Sequence, residues 1–180
     1  LVISASHNPY QDNGIKFFDG KGSKLSDDVE QAIEAEIEKP AMTLDSVHLG
    51  KAKRIDTART DYQEFCAESV PEGLGFDGIK VVFDGANGAG YKVGPRTLVN
   101  LGADVITIGC SPNGRNINHK CGSTAPEALV DKLREVRADI GIALDGDADR
   151  VVIVDEKGQI VDGDQLMAVI ADSWHRRGKL

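Results

Sequence analysis

The chain has 180 residues, of which 41% are apolar and 28% are charged, and its net charge at pH 7 is −8. This balance is typical of a folded globular protein and excludes a disordered chain. The acidic charge argues against a nucleic-acid partner or an anionic membrane surface, and no apolar run reaches the roughly 20 residues that a membrane span requires.

The first residues carry no signal peptide, and Leu1 lies within an apolar run. We therefore expect an internal piece of a longer, cytoplasmic protein. The three cysteines, Cys66, Cys110 and Cys121, are odd in number and lack the spacing of a metal site. This pattern favours reduced thiols.

The first 70 residues predict two strands and two amphipathic helices. A turn predicted at Asn13-Gly14 would bring Lys16 back toward Ser6. Ser26 is the expected N-cap of the first helix, which Pro40 ends. The predicted strands cover residues 1–4 and 15–18, and the helices run from Ser26 to Pro40 and onward from about Asp56.

From residue 79 the sequence alternates buried strands with helices, after a glycine-rich stretch at 71–78 that predicts a domain boundary. Thr124 and Glu127 predict a capping box with Pro126 near the first helical turn. The alternation indicates an α/β fold with a mixed or mostly parallel sheet covered by helices. The predicted strands are 79–83, 104–108, 139–144 and 151–154, and the predicted helices are 95–101, 124–136 and a third from Gly163.

Three carboxylates occupy every second position of the sequence DGDADR, at Asp145, Asp147 and Asp149. In an extended loop these side chains would point to one side, and their mutual repulsion favours a bound divalent cation. An EF-hand is excluded because Arg150 occupies the position where that loop needs glycine, and because strands flank the loop. A solvated acidic turn, with Arg150 as a simple ion-pair partner, stays open.

A second candidate site is the sequence SASHNP, in which Ser6 and His7 follow a predicted strand. A serine exposed at the end of a strand, next to a histidine, is a plausible nucleophile or phosphate carrier. Serine-rich turns are common, however, and this pattern alone does not establish a function.

The two loops together resemble the α-D-phosphohexomutase family. The resemblance rests on SASHNPYQDNGIKFF at residues 4–18, ALDGDADR at 143–150 and VDGDQ at 161–165. FDGANGAG and PNGRNIN…CGST are similar to the branch that acts on hexosamine phosphates. The resemblance implies phosphohexomutase-type domains: the end of domain 1 (residues 1–70), domain 2 (71–158) and the start of domain 3 (159–180).

The resemblance also implies roles for individual residues. Ser6 matches the serine that carries the phosphoryl group, and its phosphate would complete the Mg²⁺ site formed by the three aspartates. Arg150 matches an arginine that contacts the phosphoserine, Lys16 matches a lysine that assists proton movement, and His7 would help to orient the serine loop. Ala148 stands where many relatives have glycine, and because it removes no ligand we expect it to be tolerated.

The implied reaction is a phosphoryl transfer on a sugar phosphate through a hexosamine 1,6-bisphosphate, and a homodimer stays open. The branches that act on mannose or glucose phosphates, and a non-catalytic module of the same fold, are the alternatives. The isolated chain is expected to lack turnover because the sugar-reading and carboxy-terminal phosphate loops of the family are missing from it. The glycine-rich loop at 85–90 lacks the G-x-G-x-x-G spacing of a dinucleotide site, and we interpret it as a tight turn.

Overall fold

The computed structural model describes all 180 residues, which form two units that differ in size and burial. The first unit is small and has few buried side chains. Its strands β1 and β2 pair antiparallel, with Ser4 opposite Gly14. Its elements are β1 (Val2–Ser4), β2 (Gly14–Lys16), α1 (Asp27–Ile37) and short 3-10 turns at Tyr10–Asp12 and Ser46–His48.

The second unit contains a five-stranded sheet with the strand order β4-β3-β5-β6-β7. The first three strands are parallel, whereas β6 and β7 are antiparallel to their neighbours, so the predicted α/β class with a mixed sheet is confirmed. Its elements are α2 (Ala58–Glu68), β3 (Lys80–Asp84), α3 (Val93–Asn100), β4 (Asp104–Ile108), α4 (Glu127–Val136), β5 (Ile140–Leu144), β6 (Val151–Val154), β7 (Ile160–Val161) and α5 (Gly163–Arg176).

The core lies between this sheet and α4. Leu129 and Leu133 of α4 are fully buried against Val82, Ala143 and Val154 of the strands. On the opposite face α3 packs so closely that a Cβ on Gly94 would lie 2.2 Å from the ring of Phe83. Helices therefore cover both faces, and the central strands β3 and β5 are the most deeply buried, as strands of a covered parallel sheet are.

The sheet register determines where the candidate site lies. Asp84 at the end of β3 is opposite Ala143, one residue before the end of β5. The loops that follow these two strands therefore leave the same edge of the sheet, where ligands bind in open α/β folds.

Two local predictions were wrong. The turn between β1 and β2 is a 3-10 turn at Tyr10–Asp12, and Asn13 is already extended (φ −63°, ψ 133°), because Gly14 begins the paired strand. The capping box predicted at Thr124 and Glu127 does not form, because Pro126 is the N-cap of α4 and has no side-chain acceptor. A capping box does form in α5, between Asp162 and Gln165.

Smaller differences concern the ends of the elements. Ser26 is the N-cap of α1 as predicted, although its side chain makes no capping hydrogen bond. Helix α3 begins at Val93, two residues before the predicted start. Strand β7 adds residues 160 and 161 to the sheet of the second unit, just beyond the boundary predicted at 158/159. None of the helices combines the length and apolar character that crossing a membrane requires.

Candidate active site

The three aspartates converge at the end of β5, in the aspartate loop (residues 145–150). The loop is a tight turn and not the extended segment that we predicted, since the Ala148 N–H donates to the Asp145 carbonyl at 3.1 Å. Ala148 has a left-handed backbone (φ 63°), a conformation that suits the glycine expected there in many relatives. One carboxylate oxygen from each of Asp145, Asp147 and Asp149 lies within 4.8 Å of the others.

Asp145 is fully buried, and its two oxygens have different surroundings. Oδ1 accepts hydrogen bonds from the backbone N–H groups of Asp149 and Arg150, at 3.1 and 3.2 Å. Oδ2 is buried without a hydrogen-bond partner. A buried carboxylate oxygen without a donor is costly, and a hard divalent cation would compensate it. These oxygen ligands therefore fit Mg²⁺.

Ser6 reaches this cluster from the serine loop (residues 5–13) of the first unit. Its Oγ donates to Asp147 Oδ1 at 3.3 Å, and His7 Nδ1 lies 3.4 Å from the same Oγ. Lys16 Nζ lies 3.1 Å from Asp147 Oδ2. Two of the three predicted residues of the first unit, Ser6 and Lys16, thus meet on one aspartate of the second unit.

The surroundings of Asp147 change its acidity. Partial burial alone would raise the pKa of this carboxyl, but the hydrogen bonds from Lys16 and Ser6 outweigh burial and lower its pKa below the ordinary value. The carboxylate therefore stays ionised at neutral pH, the state that a metal ligand requires.

Arg150 extends over the outer side of the aspartate loop. Its Nε lies 3.8 Å from Asp145 Oδ2 and 4.0 Å from Asp149 Oδ1, and more than half of its side chain is exposed. These distances indicate loose ion pairs and not hydrogen bonds. Neither carboxylate therefore fixes the guanidinium group, whose planar fork is suited to phosphate oxygens.

The glycine loop (residues 85–90) packs against the backbone of the aspartate loop. The Ala89 N–H donates to the Gly146 carbonyl at 2.8 Å. A Cβ on Gly88 would lie 2.2 Å from that carbonyl oxygen. The buried carboxylate of Asp84 accepts from the N–H groups of Ala86 (2.9 Å) and Gly122 (2.7 Å) and so holds this loop in place. The contacts agree with a structural role for the loop, as we interpreted it.

Asn118 connects the two units at the same point. It lies in the asparagine loop (residues 111–120), and its Nδ2 donates to the carbonyl oxygens of Ser6 and Asn8, both at 2.9 Å. Sequence reasoning missed Asp84, Asn118 and Gly146. For Asp84 the only signal was its position as a polar residue at the end of an apolar strand. For Asn118 it was the PNGRNIN sequence that contributed to the resemblance.

Family models match most of the chain. The model described as phosphoglucomutase/phosphomannomutase, alpha/beta/alpha domain II matches residues 61–158, and that for domain I matches residues 1–43. A phosphoglucosamine mutase from Rhodopseudomonas palustris (strain HaA2) is 58% identical over the whole chain. The chain spans 40% of the length of that relative.

Solved structures give the same fold. A phosphoglucomutase/phosphomannomutase family protein from Burkholderia thailandensis superimposes with a TM-score of 0.70 at 27% identity, over 98% of this chain and 38% of its own. An N-acetylphosphoglucosamine mutase from Aspergillus fumigatus, solved with GlcNAc-6P and magnesium, superimposes with a TM-score of 0.59 at 19% identity. The match covers 98% of this chain and 48% of the fungal protein, and at this identity it supports the fold alone.

Proposed function

Because the chain belongs to the phosphoglucomutase/phosphomannomutase family, we propose that the full-length protein is a phosphoglucosamine mutase. It would interconvert glucosamine 6-phosphate and glucosamine 1-phosphate for cell-wall amino-sugar precursors. The observation that carries the proposal is the hydrogen bond from Ser6 Oγ to Asp147, because a serine hydroxyl next to three converging carboxylates is what the proposed phosphate carrier needs. The 58% identity to curated phosphoglucosamine mutases supports the choice of sugar.

In the proposed reaction the Oγ–P bond of phosphorylated Ser6 breaks as the 1-hydroxyl of glucosamine 6-phosphate forms a new O–P bond. The resulting hexosamine 1,6-bisphosphate reorients within the site. Ser6 Oγ then takes the phosphoryl group from the sugar's 6-oxygen, which regenerates the phosphoserine and leaves glucosamine 1-phosphate. Added 1,6-bisphosphate is the expected activator, because it can phosphorylate an unmodified Ser6 by this last step.

The charges around Ser6 support this chemistry. A phosphoserine carries about −1.5 to −2 charges at neutral pH. Asp145, Asp147 and Asp149, with a Ser6 phosphate oxygen, would hold the Mg²⁺. Bound Mg²⁺ supplies the positive charge that lets this phosphate lie beside carboxylates and that stabilises a transferring phosphoryl group.

The resemblance implies roles for the remaining predicted residues, and their distances support these roles. Lys16, at 3.1 Å from Asp147, would pass the proton of the attacking or leaving sugar hydroxyl. Arg150 would pair with the phosphate oxygens, for which its planar fork is suited. His7, beside Ser6 Oγ, would orient the serine.

Two alternatives differ in substrate or in chemistry. A phosphomannomutase or phosphoglucomutase would use the same half-site, since the family's sugar-reading loop lies outside this chain. A non-catalytic module would keep the fold without turnover, but it would have no need of Ser6 beside all three aspartates. We keep the cytoplasmic location and the inactivity of the isolated chain as part of the proposal; a homodimer stays open. We also keep the division of the family's domains at 70/71 and 158/159, although α2 packs on α3 and β7 pairs with β6, so that the packing units extend slightly beyond it on both sides.

The test uses the full-length protein and its Ser6→Ala variant. Intact mass spectrometry should find one phosphoryl group on the wild-type protein and none on the variant, and turnover should be lost with it. Initial rates with glucosamine, mannose and glucose phosphates should favour glucosamine. A preference for mannose or glucose phosphate would reject the sugar assignment, and active protein without a phosphoryl group on Ser6 would reject the mechanism.

A further inference from the structure

We propose that Asn118 is a positioning residue that holds Ser6 in place next to the aspartate loop, an inference that rests on the proposed function. The side chain belongs to neither predicted site. It contacts the backbone of the serine loop and not its reactive groups, so its effect on chemistry would act through Ser6.

The asparagine side chain lies where three loops meet. Its Nδ2 donates to the carbonyl oxygens of Ser6 and Asn8, while its own backbone N–H donates to the Ala86 carbonyl at 2.9 Å. A Cβ on Gly146 would lie 2.6 Å from this Nδ2. One residue thus joins the serine loop, through its side chain, to the glycine loop, through its backbone, and it lies directly against the backbone of the aspartate loop.

Ser6 needs this support because of its backbone conformation. Its φ of 52° lies in the left-handed region, which is unfavourable for a serine. Such conformations persist only where the surrounding structure holds them. The Ser6 N–H donates to Ser4 Oγ at 2.9 Å, and the Ser6 carbonyl accepts from Asn118. Asn118 therefore provides one of the two hydrogen bonds that hold the Ser6 backbone from either side.

The chemistry of the contact requires an amide. Both side-chain hydrogen bonds of Asn118 are donated by Nδ2, whereas Oδ1 is buried without a partner, which is unfavourable. The side chain therefore acts here only as a hydrogen-bond donor. An aspartate of the same shape would have no donor at neutral pH. It would also place a negative charge against two carbonyl oxygens and close to the aspartate loop.

Asn116 in the same loop offers a matched control. Its Nδ2 donates to the Ser111 carbonyl at 3.1 Å, and its Oδ1 accepts from the Asn113 N–H at 2.9 Å, so both contacts stay within the asparagine loop. Asn116→Asp makes the same chemical change two residues away without touching the serine loop.

The experiment compares full-length wild type, Asn118→Asp, Asn118→Gly and Asn116→Asp by hydrogen exchange and steady-state kinetics. Glycine suits the left-handed backbone of Asn118 (φ 56°), so Asn118→Gly removes the side chain without backbone strain and covers the case in which the aspartate variant does not fold. We expect peptides that span residues 5–13 to exchange faster, by roughly tenfold, in the Asn118 variants alone. We also expect their kcat to fall by roughly 10- to 100-fold, with KM for the sugar phosphate within about threefold of wild type.

The proposal is overturned if exchange in residues 5–13 is unchanged in Asn118→Gly, or if Asn116→Asp has the same effect. It is also overturned if exchange rises but kcat does not change. If the wild-type protein has no mutase activity, the proposed function fails, and hydrogen exchange still decides whether Asn118 holds the serine loop.

Discussion

Gly146 lies between the first and second aspartates of the aspartate loop, and Gly146→Ala tests whether the close approach of the serine loop matters. A Cβ at this position would lie 2.3 Å from the Ser6 carbonyl oxygen and 2.8 Å from Ile117 Cδ1. Real Cβ contacts are essentially never under 3.0 Å, so the Ser6 carbonyl must retreat by about 0.7 Å. A misplacement near 1 Å can cost about 100-fold in rate, and we expect kcat to fall by roughly 10- to 100-fold.

The assay is steady-state turnover of the full-length Gly146→Ala variant, with the melting temperature measured in parallel. All three aspartates and Ser6 remain, so the loss should appear in kcat more than in KM. Gly20→Ala is the matched control, because a Cβ on Gly20 meets nothing within 4 Å. Turnover of Gly146→Ala within twofold of wild type, or an equal loss in Gly20→Ala, would refute the reasoning.

Two further predictions concern Asp145 and Cys121. In Asp145→Asn the amide oxygen can still accept from the N–H groups of Asp149 and Arg150, so we expect near-wild-type melting without metal but no stabilisation by Mg²⁺. A persisting Mg²⁺-dependent rise in melting temperature would contradict this. Burial, followed by the charge of Asp84, raises the pKa of Cys121 to about 11, so about one thiolate in a thousand exists at pH 8. Native Cys121 should therefore react with iodoacetamide far more slowly than Cys121 in the urea-unfolded chain. Its native rate should be roughly tenfold higher at pH 9 than at pH 8. Equal rates in the native and unfolded chains would contradict the raised pKa of Cys121.

The fold was predictable because its signals are local. The runs IKVVF, DVITI and DIGIAL are rich in β-branched and other apolar residues, as strands of a covered sheet are, and each occurs between turn signals. The strand that follows the aspartate loop also favoured the rejection of an EF-hand, and β6 occupies this position in the structure. The failures were equally local. Pro126 occupies the N-cap position for which we had expected a capping side chain, and Asn13 has the extended backbone that leads into β2.

The site was predictable only in part, because its geometry depends on contacts distant in sequence. Asp147 and Ser6 are separated by 141 residues, and no periodicity links them. The resemblance placed both in one reaction, but it said nothing about what holds them together. Gly146 and Asn118 do that through a close approach and a pair of hydrogen bonds, and neither residue type is unusual in a loop.

The backbone shows why these supports are needed. Seven non-glycine residues have positive φ, and all but Arg137, which ends α4, lie in the loops at this edge of the sheet: Ser6, Ala86, Asn87, Asn118, Lys120 and Ala148. Asparagine tolerates this conformation, whereas serine, alanine and lysine each lose roughly 1–2 kcal/mol. A cost of this size, against a typical stability of about 5–15 kcal/mol, must be offset by packing and hydrogen bonds around the loops. Serine and alanine give no sequence signal for left-handed backbone, so the strain at the site becomes visible only in the structure.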